Sequence, residues 1–325
     1  MSNRCCFDES QKLISTDLSK IERKIYLEVT TECNNNCFHC FNRSGALRYA
    51  LHLDDIITFE KDFHNLGNIT QILLSGGEFF VHPQYMDILK FLVPKYNVKI
   101  LSNGKHIPDD FLNYWSNHHT IELQITLNGP NKEIDGLIRG SCFDETVASI
   151  KKVIAKGLAD HLTVTTTLFR ANIHQLRPML DFCCLLGVKR IQFSYIRKIG
   201  RASDNWDRLS ISNYEKIKAL SELYSLSDEL QNKIHIVTSG MRLLDFGFEK
   251  FGSGFSCEEL SEEFVVTPDG NSVFCPHFET YLKCKNLKIP FSSITSGTYS
   301  VANLLDENCK SCPCFEGCVA SCLMT

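Results

Sequence analysis

The chain lacks a strong excess of either charge: 34 Lys and Arg stand against 38 Asp and Glu, a net of −4 over 325 residues. No basic tract stands out, which disfavours nucleic acid as the main partner. No apolar run approaches the roughly 18 residues of a membrane span. The N-terminus, MSNRCCFDES, lacks the charged and then apolar layout of a secretory signal. No internal repeat or low-complexity segment is visible. With 43% apolar residues the chain has ample material for a buried core. It reads as a cytoplasmic protein with one large domain and a smaller one.

Cysteine is what the chain has in plenty: sixteen residues. In a large chain of a reducing compartment, clustered thiols bind metal more often than they pair as disulfides. Cys33, Cys37 and Cys40 fall within the stretch TTECNNNCFHC. Cys257, Cys275, Cys284, Cys309, Cys312, Cys314, Cys318 and Cys322 crowd the last seventy residues. Cys142, Cys183 and Cys184 stand in apolar surroundings and read as buried structural thiols. Cys5 and Cys6 have no assignment.

From residue 24 to about 196, β-rich runs alternate with amphipathic stretches. The runs are KIYLEV (24–29), ITQILLS (69–75), NVKILS (97–102), IELQITL (121–127), LTVTTTLF (162–169) and RIQFSYI (190–196). Helical patterns lie between them, FDETVASIKKVIAKG and NIHQLRPMLDFCCLLG each ending on a C-cap glycine. Six βα units in series predict a parallel sheet, open or curled into a partial (β/α)6 barrel of the TIM type. Sites in such folds sit at the C-terminal ends of the strands, where the first thiol group lies. After residue 205 the rhythm changes to a helical stretch, a glycine-rich segment and a hairpin-like EFVVTPDGNSVFCP turning at Pro268, Asp269 and Gly270. The cysteine-rich remainder is too poor in core to fold without metal.

The first thiol group does not suit zinc, because no fourth Cys or His of fitting spacing follows and His39 is adjacent to Cys40. Three cysteines on one loop can instead hold three irons of a [4Fe–4S] cube, leaving the fourth iron for a small molecule.

Cys33-x3-Cys37-x2-Cys40 after the first strand of a βα series resembles the radical S-adenosylmethionine (SAM) enzymes. The resemblance implies a cluster whose unique iron is chelated by SAM, and a 5′-deoxyadenosyl radical that abstracts hydrogen once the cluster passes on an electron. His39 stands where the family often carries an aromatic residue. SGGE, at the end of the second strand, resembles the motif that contacts the methionine amino group. Gly76 and Gly77 there would allow close backbone approach, and Glu78 would accept from an ammonium. LSNG, with Ser102 and Asn103, resembles the strand end lining the ribose. TLNGP resembles the next strand end, with Asn128 where relatives often have Asp. Arg139, in IRGSCFDETV, would contact the cofactor carboxylate or substrate, and IRKIGRAS would bring Gly200 and Arg201 near the adenosine. A solvated surface arginine is the alternative for both Arg139 and Arg201. This resemblance covers residues 24–205.

The tail resembles the SPASM extension of peptide- and protein-modifying radical enzymes. Cys257 is followed after twelve residues by Gly270 and after four more by Cys275, and then comes Cys309-x2-Cys312-x5-Cys318-x3-Cys322. The resemblance implies two auxiliary Fe–S clusters, one on Cys257, Cys275 and Cys322 and one on Cys309, Cys312 and Cys318. A zinc-ribbon-like module is the alternative. The family's usual seventh cysteine is missing, which leaves the second cluster's fourth ligand open among Cys314, a carboxylate and another residue.

The expected organisation is an N-terminal extension (1–23), the barrel (24–205), a bridge (206–256) and a SPASM domain (257–325). The expected function is an oxidoreductase-like maturase acting on a peptide, a ribosomally made natural-product precursor, by crosslink, thioether, epimerisation or oxidation. A flavodoxin- or ferredoxin-like reductant is implied. Only 23 residues precede the first strand, too few for a leader-recognition unit, so the peptide would be recognised by a separate partner protein or by barrel and tail directly. A small-molecule dehydrogenase or sulfatase-maturing enzyme of the same superfamily is the alternative, and a non-catalytic Fe–S carrier the remote one. Cys183, Cys184 and Tyr195 are only weakly motivated as completing the reaction.

Overall fold

A computed structural model of the chain describes residues 22–45, 48–239, 263–273 and 289–290. Cys257, Cys275, Cys309, Cys312, Cys318 and Cys322, with Cys284 and Cys314, lie outside the described residues. The six anticipated strands are present as β1 (Glu22–Glu28), β2 (Asn68–Ser75), β3 (Asn97–Ser102), β4 (Ile121–Thr126), β5 (Leu162–Leu168) and β6 (Arg190–Tyr195). All pair in parallel in chain order. Four more strands, β7 (His235–Thr238), β8 (Glu263–Val266), β9 (Asn271–Val273) and β10 (Ile289–Pro290), extend the sheet to the order β10-β9-β8-β1-β2-β3-β4-β5-β6-β7.

Alternation along each strand divides the sheet into two faces. Ile25, Leu27, Ile72, Leu74, Val98, Ile100, Leu123, Ile125, Val164, Ile191 and Phe193 are fully buried. Their neighbours in sequence, such as Gln71, Lys99, Gln124, Thr165 and Gln192, share the other face and are partly exposed. Parallel strands covered on both sides are usually apolar throughout. A polar second face is the mark of a sheet with helices on one side and an accessible hollow on the other.

The helices are α1 (Leu53–Glu60), α2 (Tyr85–Leu92), α3 (Asp109–Trp115), α4 (Lys132–Arg139), α5 (Phe143–Ala155), α6 (Leu176–Leu186), the short α7 (Arg201–Asp204) and α8 (Trp206–Leu209), and α9 (Asn213–Leu230). The two anticipated C-cap glycines follow α5 and α6: Gly157 and Gly187 have φ of +77° and +85°, which glycine adopts without strain. α9 opens on a capping box in which Ser212 and Glu215 satisfy each other's backbone amides. Among the described residues no helix is long and apolar enough to cross a membrane.

The sheet curls. Strands lie about 4.8 Å apart, so β1 and β6 would stand about 24 Å apart in a flat sheet. The loop after β6 nevertheless hydrogen-bonds the loop after β1, Arg201 Nε donating to the Cys37 carbonyl at 2.8 Å. The sheet is therefore a partial barrel whose two rims meet over the cysteine loop.

Candidate metal and cofactor site

β1 ends in the barrel mouth and hands over to the loop bearing Cys33, Cys37 and Cys40. None of the three is in a disulfide. A turn closes between Cys37 and Cys40, the Cys40 amide donating to the Cys37 carbonyl at 3.3 Å. Cys40 Sγ lies 3.6 Å from Ser44 Oγ. Asn42 fastens the loop to its own strand by donating to Glu28 at 2.8 Å.

Gly76 and Gly77 are where the second strand meets this loop. A Cβ on Gly76 would fall 2.3 Å from the Thr30 carbonyl oxygen, and one on Gly77 2.3 Å from that of Glu32. The amides of Gly77 and Glu78 donate to those two carbonyls at 2.6 and 2.9 Å. The close approach that these glycines allow is thus to the backbone leading into the cysteines.

Glu78 is buried, and three donors converge on its carboxylate. Oε1 accepts from the Phe80 amide at 3.2 Å and from Ser102 Oγ at 2.9 Å, and Oε2 accepts from the Asn103 amide at 2.7 Å. Burial nevertheless holds this carboxyl above the usual range. Ser102 also accepts from the Gly104 amide at 3.0 Å. Asn103 reaches back to the loop, its Nδ2 donating to Asn34 Oδ1 at 2.7 Å with Cys33 Sγ 3.7 Å away. Glu78, Ser102, Asn103 and Cys33 therefore form one connected group at the mouth.

Arg139 is fully buried, which removes the surface alternative for it. Its guanidinium donates to the carbonyls of Thr126 and Asn103, to Asp135 Oδ1 at 3.3 Å and to Thr146 Oγ1 at 3.3 Å, and only Nε has no partner. It joins the ends of β3 and β4 from beneath. Asn128 is also fully buried. Its Oδ1 accepts from the Thr167 amide at 2.8 Å, its backbone amide donates to Asp135 at 2.7 Å, and its Nδ2 is unpartnered. It borders a small recess shared with Asn172, Gln175, Met179 and Phe193, on the helix side of the sheet. Arg201, partly buried, donates from Nε to the Cys37 carbonyl and from Nη1 to that of Ser44, at 2.8 and 2.9 Å.

Some contributors carried no motif. Asn35 donates to Cys142 Sγ at 3.2 Å, so that buried thiol braces the cysteine loop. The Ile138 carbonyl accepts from the Phe38 amide at 2.8 Å. His39 sits against the same segment, its pKa lowered to about 4 by burial and then by Arg139, so it is neutral. Its spacing one residue before Cys40 was the only available signal. Cys183 is buried within α6, and burial raises its thiol. Cys184 is half-buried beside it.

The loop's chemistry fits an iron–sulfur centre. Burial pushes the Cys37 thiol up to about 12 and raises Cys33 as well, and a thiolate on Cys40 would further disfavour charge on both. A multiply charged metal centre would offset the cost of ionising these two buried thiols. The mouth beside it supplies a fixed carboxylate and carbonyl and amide groups, as an amino-acid-like cofactor needs.

Comparison with known proteins agrees with this geometry. Residues 27–183 match the radical SAM superfamily. The chain is 28% identical over 183 residues to the antilisterial bacteriocin subtilosin biosynthesis protein AlbA of Bacillus subtilis, a match spanning 54% of this chain and 40% of AlbA. It is 23% identical over 263 residues to the mycofactocin maturase MftC of Mycobacterium tuberculosis, spanning 77% of this chain and 63% of MftC. The chain thus spans less than two thirds of either relative. Its fold is similar to that of SuiB from Streptococcus suis bound to S-adenosylmethionine, with a TM-score of 0.73 at 14% identity over 91% of this chain and 72% of SuiB. SuiB bound to its precursor peptide SuiA gives 0.72 at the same identity. Residues 27–183, just under half of the chain, form a radical SAM domain.

Proposed function

We propose that this chain is a radical SAM enzyme that modifies a peptide, a ribosomally made natural-product precursor. The observation that carries the reading is the meeting, at one barrel mouth, of the Cys33, Cys37 and Cys40 loop with the Glu78–Ser102–Asn103 group. AlbA and MftC, named for bacteriocin biosynthesis and mycofactocin maturation, support a peptide as substrate.

In this reading Cys33, Cys37 and Cys40 would hold a [4Fe–4S] cluster, and Glu78, Ser102 and Asn103 would hold SAM. Together they supply a 5′-deoxyadenosyl radical when reduced by a flavodoxin- or ferredoxin-like donor. The chain's own part is to bind and orient. Glu78 has lone pairs left beyond its three protein donors and accepts from the cofactor ammonium. Gly76 and Gly77 seat the cysteine loop against that carboxylate. Ser102 and Asn103 fix its rotamer and would contact the ribose. Arg139 ties the ends of β3 and β4 together, and Asn128 ties the end of β4 to β5. Cys257, Cys275, Cys309, Cys312, Cys318 and Cys322 hold two auxiliary Fe–S clusters in a SPASM unit over 257–325, beyond a bridge at 206–256. The setting is the cytoplasm, and a separate protein or the barrel and tail recognise the peptide.

The test is anaerobic reconstitution followed by reduction in the presence of SAM. Wild type should release 5′-deoxyadenosine, and the Cys33, Cys37 and Cys40 to Ala triple variant should release none; product from the triple variant refutes the assignment. A peptide co-expressed with the enzyme should lose two hydrogens on crosslinking or oxidation. Epimerisation in ordinary water leaves its mass unchanged. Turnover of a free small molecule with every peptide left unaltered would favour the dehydrogenase reading.

A further inference from the structure

The segment Gly200–Asn205, at the far rim of the curled sheet, donates repeatedly to the backbone that carries the first thiol group. Arg201 contributes three of these bonds. Its amide donates to the Cys40 carbonyl at 2.9 Å, its Nε to that of Cys37 at 2.8 Å and its Nη1 to that of Ser44 at 2.9 Å. Asn205 Nδ2 donates to the Phe38 carbonyl at 3.2 Å. The loop answers in kind: Arg43 donates to the Gly200 carbonyl at 3.0 Å and pairs with Asp204 at 2.5 and 2.8 Å.

Gly200 is what lets the two backbones come so near. Its φ is +56°, and a Cβ there would stand 2.2 Å from the Phe41 carbonyl oxygen and 2.4 Å from that of Cys40. Two of the three guanidinium nitrogens of Arg201 are engaged by loop carbonyls. The flat, rigid fork of an arginine spans two such acceptors, whereas a lysine ammonium makes only point contacts.

We propose that Arg201 is a positioning residue for the cysteine loop, clasping the peptide units of Cys37, Cys40 and Ser44 so that the loop is shaped before iron arrives. Its charge then lies beside the centre the loop holds. This rests on the cluster reading above for its redox half only; the clasp itself is a property of the chain without metal. An added electron makes the centre more negative, and a neighbouring cation stabilises that state. Arg201 therefore raises the reduction potential as well as setting the loop.

Three variants separate these effects: Arg201→Gln, Arg201→Lys and Asn205→Ala. In the apoprotein, hydrogen exchange of amides in residues 37–45 should speed up by at least about ten-fold in Arg201→Gln, the scale of a lost charge-assisted hydrogen bond. It should also speed up in Arg201→Lys, and less in Asn205→Ala. After reconstitution, iron should pass to a ferrous chelator faster in the same order. The potential followed by electron paramagnetic resonance should fall in Arg201→Gln and stay near wild type in Arg201→Lys. If Arg201→Gln does not fold, Arg201→Lys, which keeps the charge but not the fork, decides by the same exchange measurement, with Asn205→Ala, which removes the bonds to the Phe38 and Arg201 carbonyls, as the milder comparison. Wild-type exchange and iron retention in both Arg201→Gln and Asn205→Ala, with loss only of SAM affinity, overturn the proposal and make Arg201 a cofactor contact. A wild-type chain that takes up no iron on Cys33, Cys37 and Cys40 overturns the cluster reading, and the apoprotein exchange then still judges the clasp.

Discussion

Arg139 and Asp135 form a fully buried ion pair, and Arg139 also donates to carbonyls at two strand ends. Removing one partner of such a pair strands the other charge, a cost of about 3–5 kcal/mol. Arg139→Met should lower stability by that amount in urea denaturation of the apoprotein; a change below about 1 kcal/mol would show the guanidinium to be dispensable to the frame. Gly76→Ala and Gly77→Ala should displace the cysteine loop, since the new Cβ meets a backbone oxygen rather than a side chain that can turn away. Iron bound per chain after reconstitution should drop well below wild type in both. Glu78 gives a pH dependence. Burial raises its folded pKa above the unfolded value of about 4.3. The folded chain then binds this proton more tightly than the unfolded one, so stability is lost as pH rises from the unfolded pKa through the folded one. Glu78→Gln should flatten that part of the apoprotein's stability profile, and an unchanged slope would contradict the role of burial. These environments were not legible in the motifs. SGGE named Glu78 as an acceptor, but only packing shows Phe80, Ser102 and Asn103 donating to it.

At the scale of elements, the six βα units were readable because β-branched and apolar runs alternate with amphipathic ones, and each strand lies within two residues of its expected place. β7 was not read, being four residues long and half-buried, with no clear alternation. The hairpin turning at Pro268–Gly270 was read, but not its destination. β8 pairs in parallel with β1, from Lys24 opposite Glu263 to Leu27 opposite Val266. A segment that looked like the start of a separate cysteine-rich unit therefore continues the barrel sheet. The pairing covers an edge of β1 that would otherwise offer open hydrogen-bonding groups. Deleting residues from 263 onward should expose that edge and drive association visible by light scattering. Val266→Ala, at a fully buried position, should cost about 2 kcal/mol in urea. A deletion protein that stays monomeric with unchanged stability would show β8 to be an accessory strand.

For the whole molecule, reconstitution should give about twelve irons per chain if each of the three proposed centres is a four-iron cube. Changing Cys309, Cys312 or Cys318 to Ala should lower that count while leaving the first cluster's share intact; zinc in the tail with four irons in total would refute two auxiliary clusters. The sequence by itself determined the class of fold and the place of the thiols. Strand periodicity and glycine caps are local, and a loop directly after a first parallel strand has to lie at the C-terminal mouth. It also pointed to the radical SAM domain, because ligand spacing and the glycine–glycine–glutamate turn are short-range patterns. The closure of the barrel was decided only in three dimensions, since contacts between residues 37–44 and 200–205 join segments more than 150 positions apart. So were the backbone partners of Arg139 and Arg201. An arginine reads the same in sequence whether its donors meet a ligand, water or backbone carbonyls, and the curl of the sheet is what turned both toward the protein's own frame.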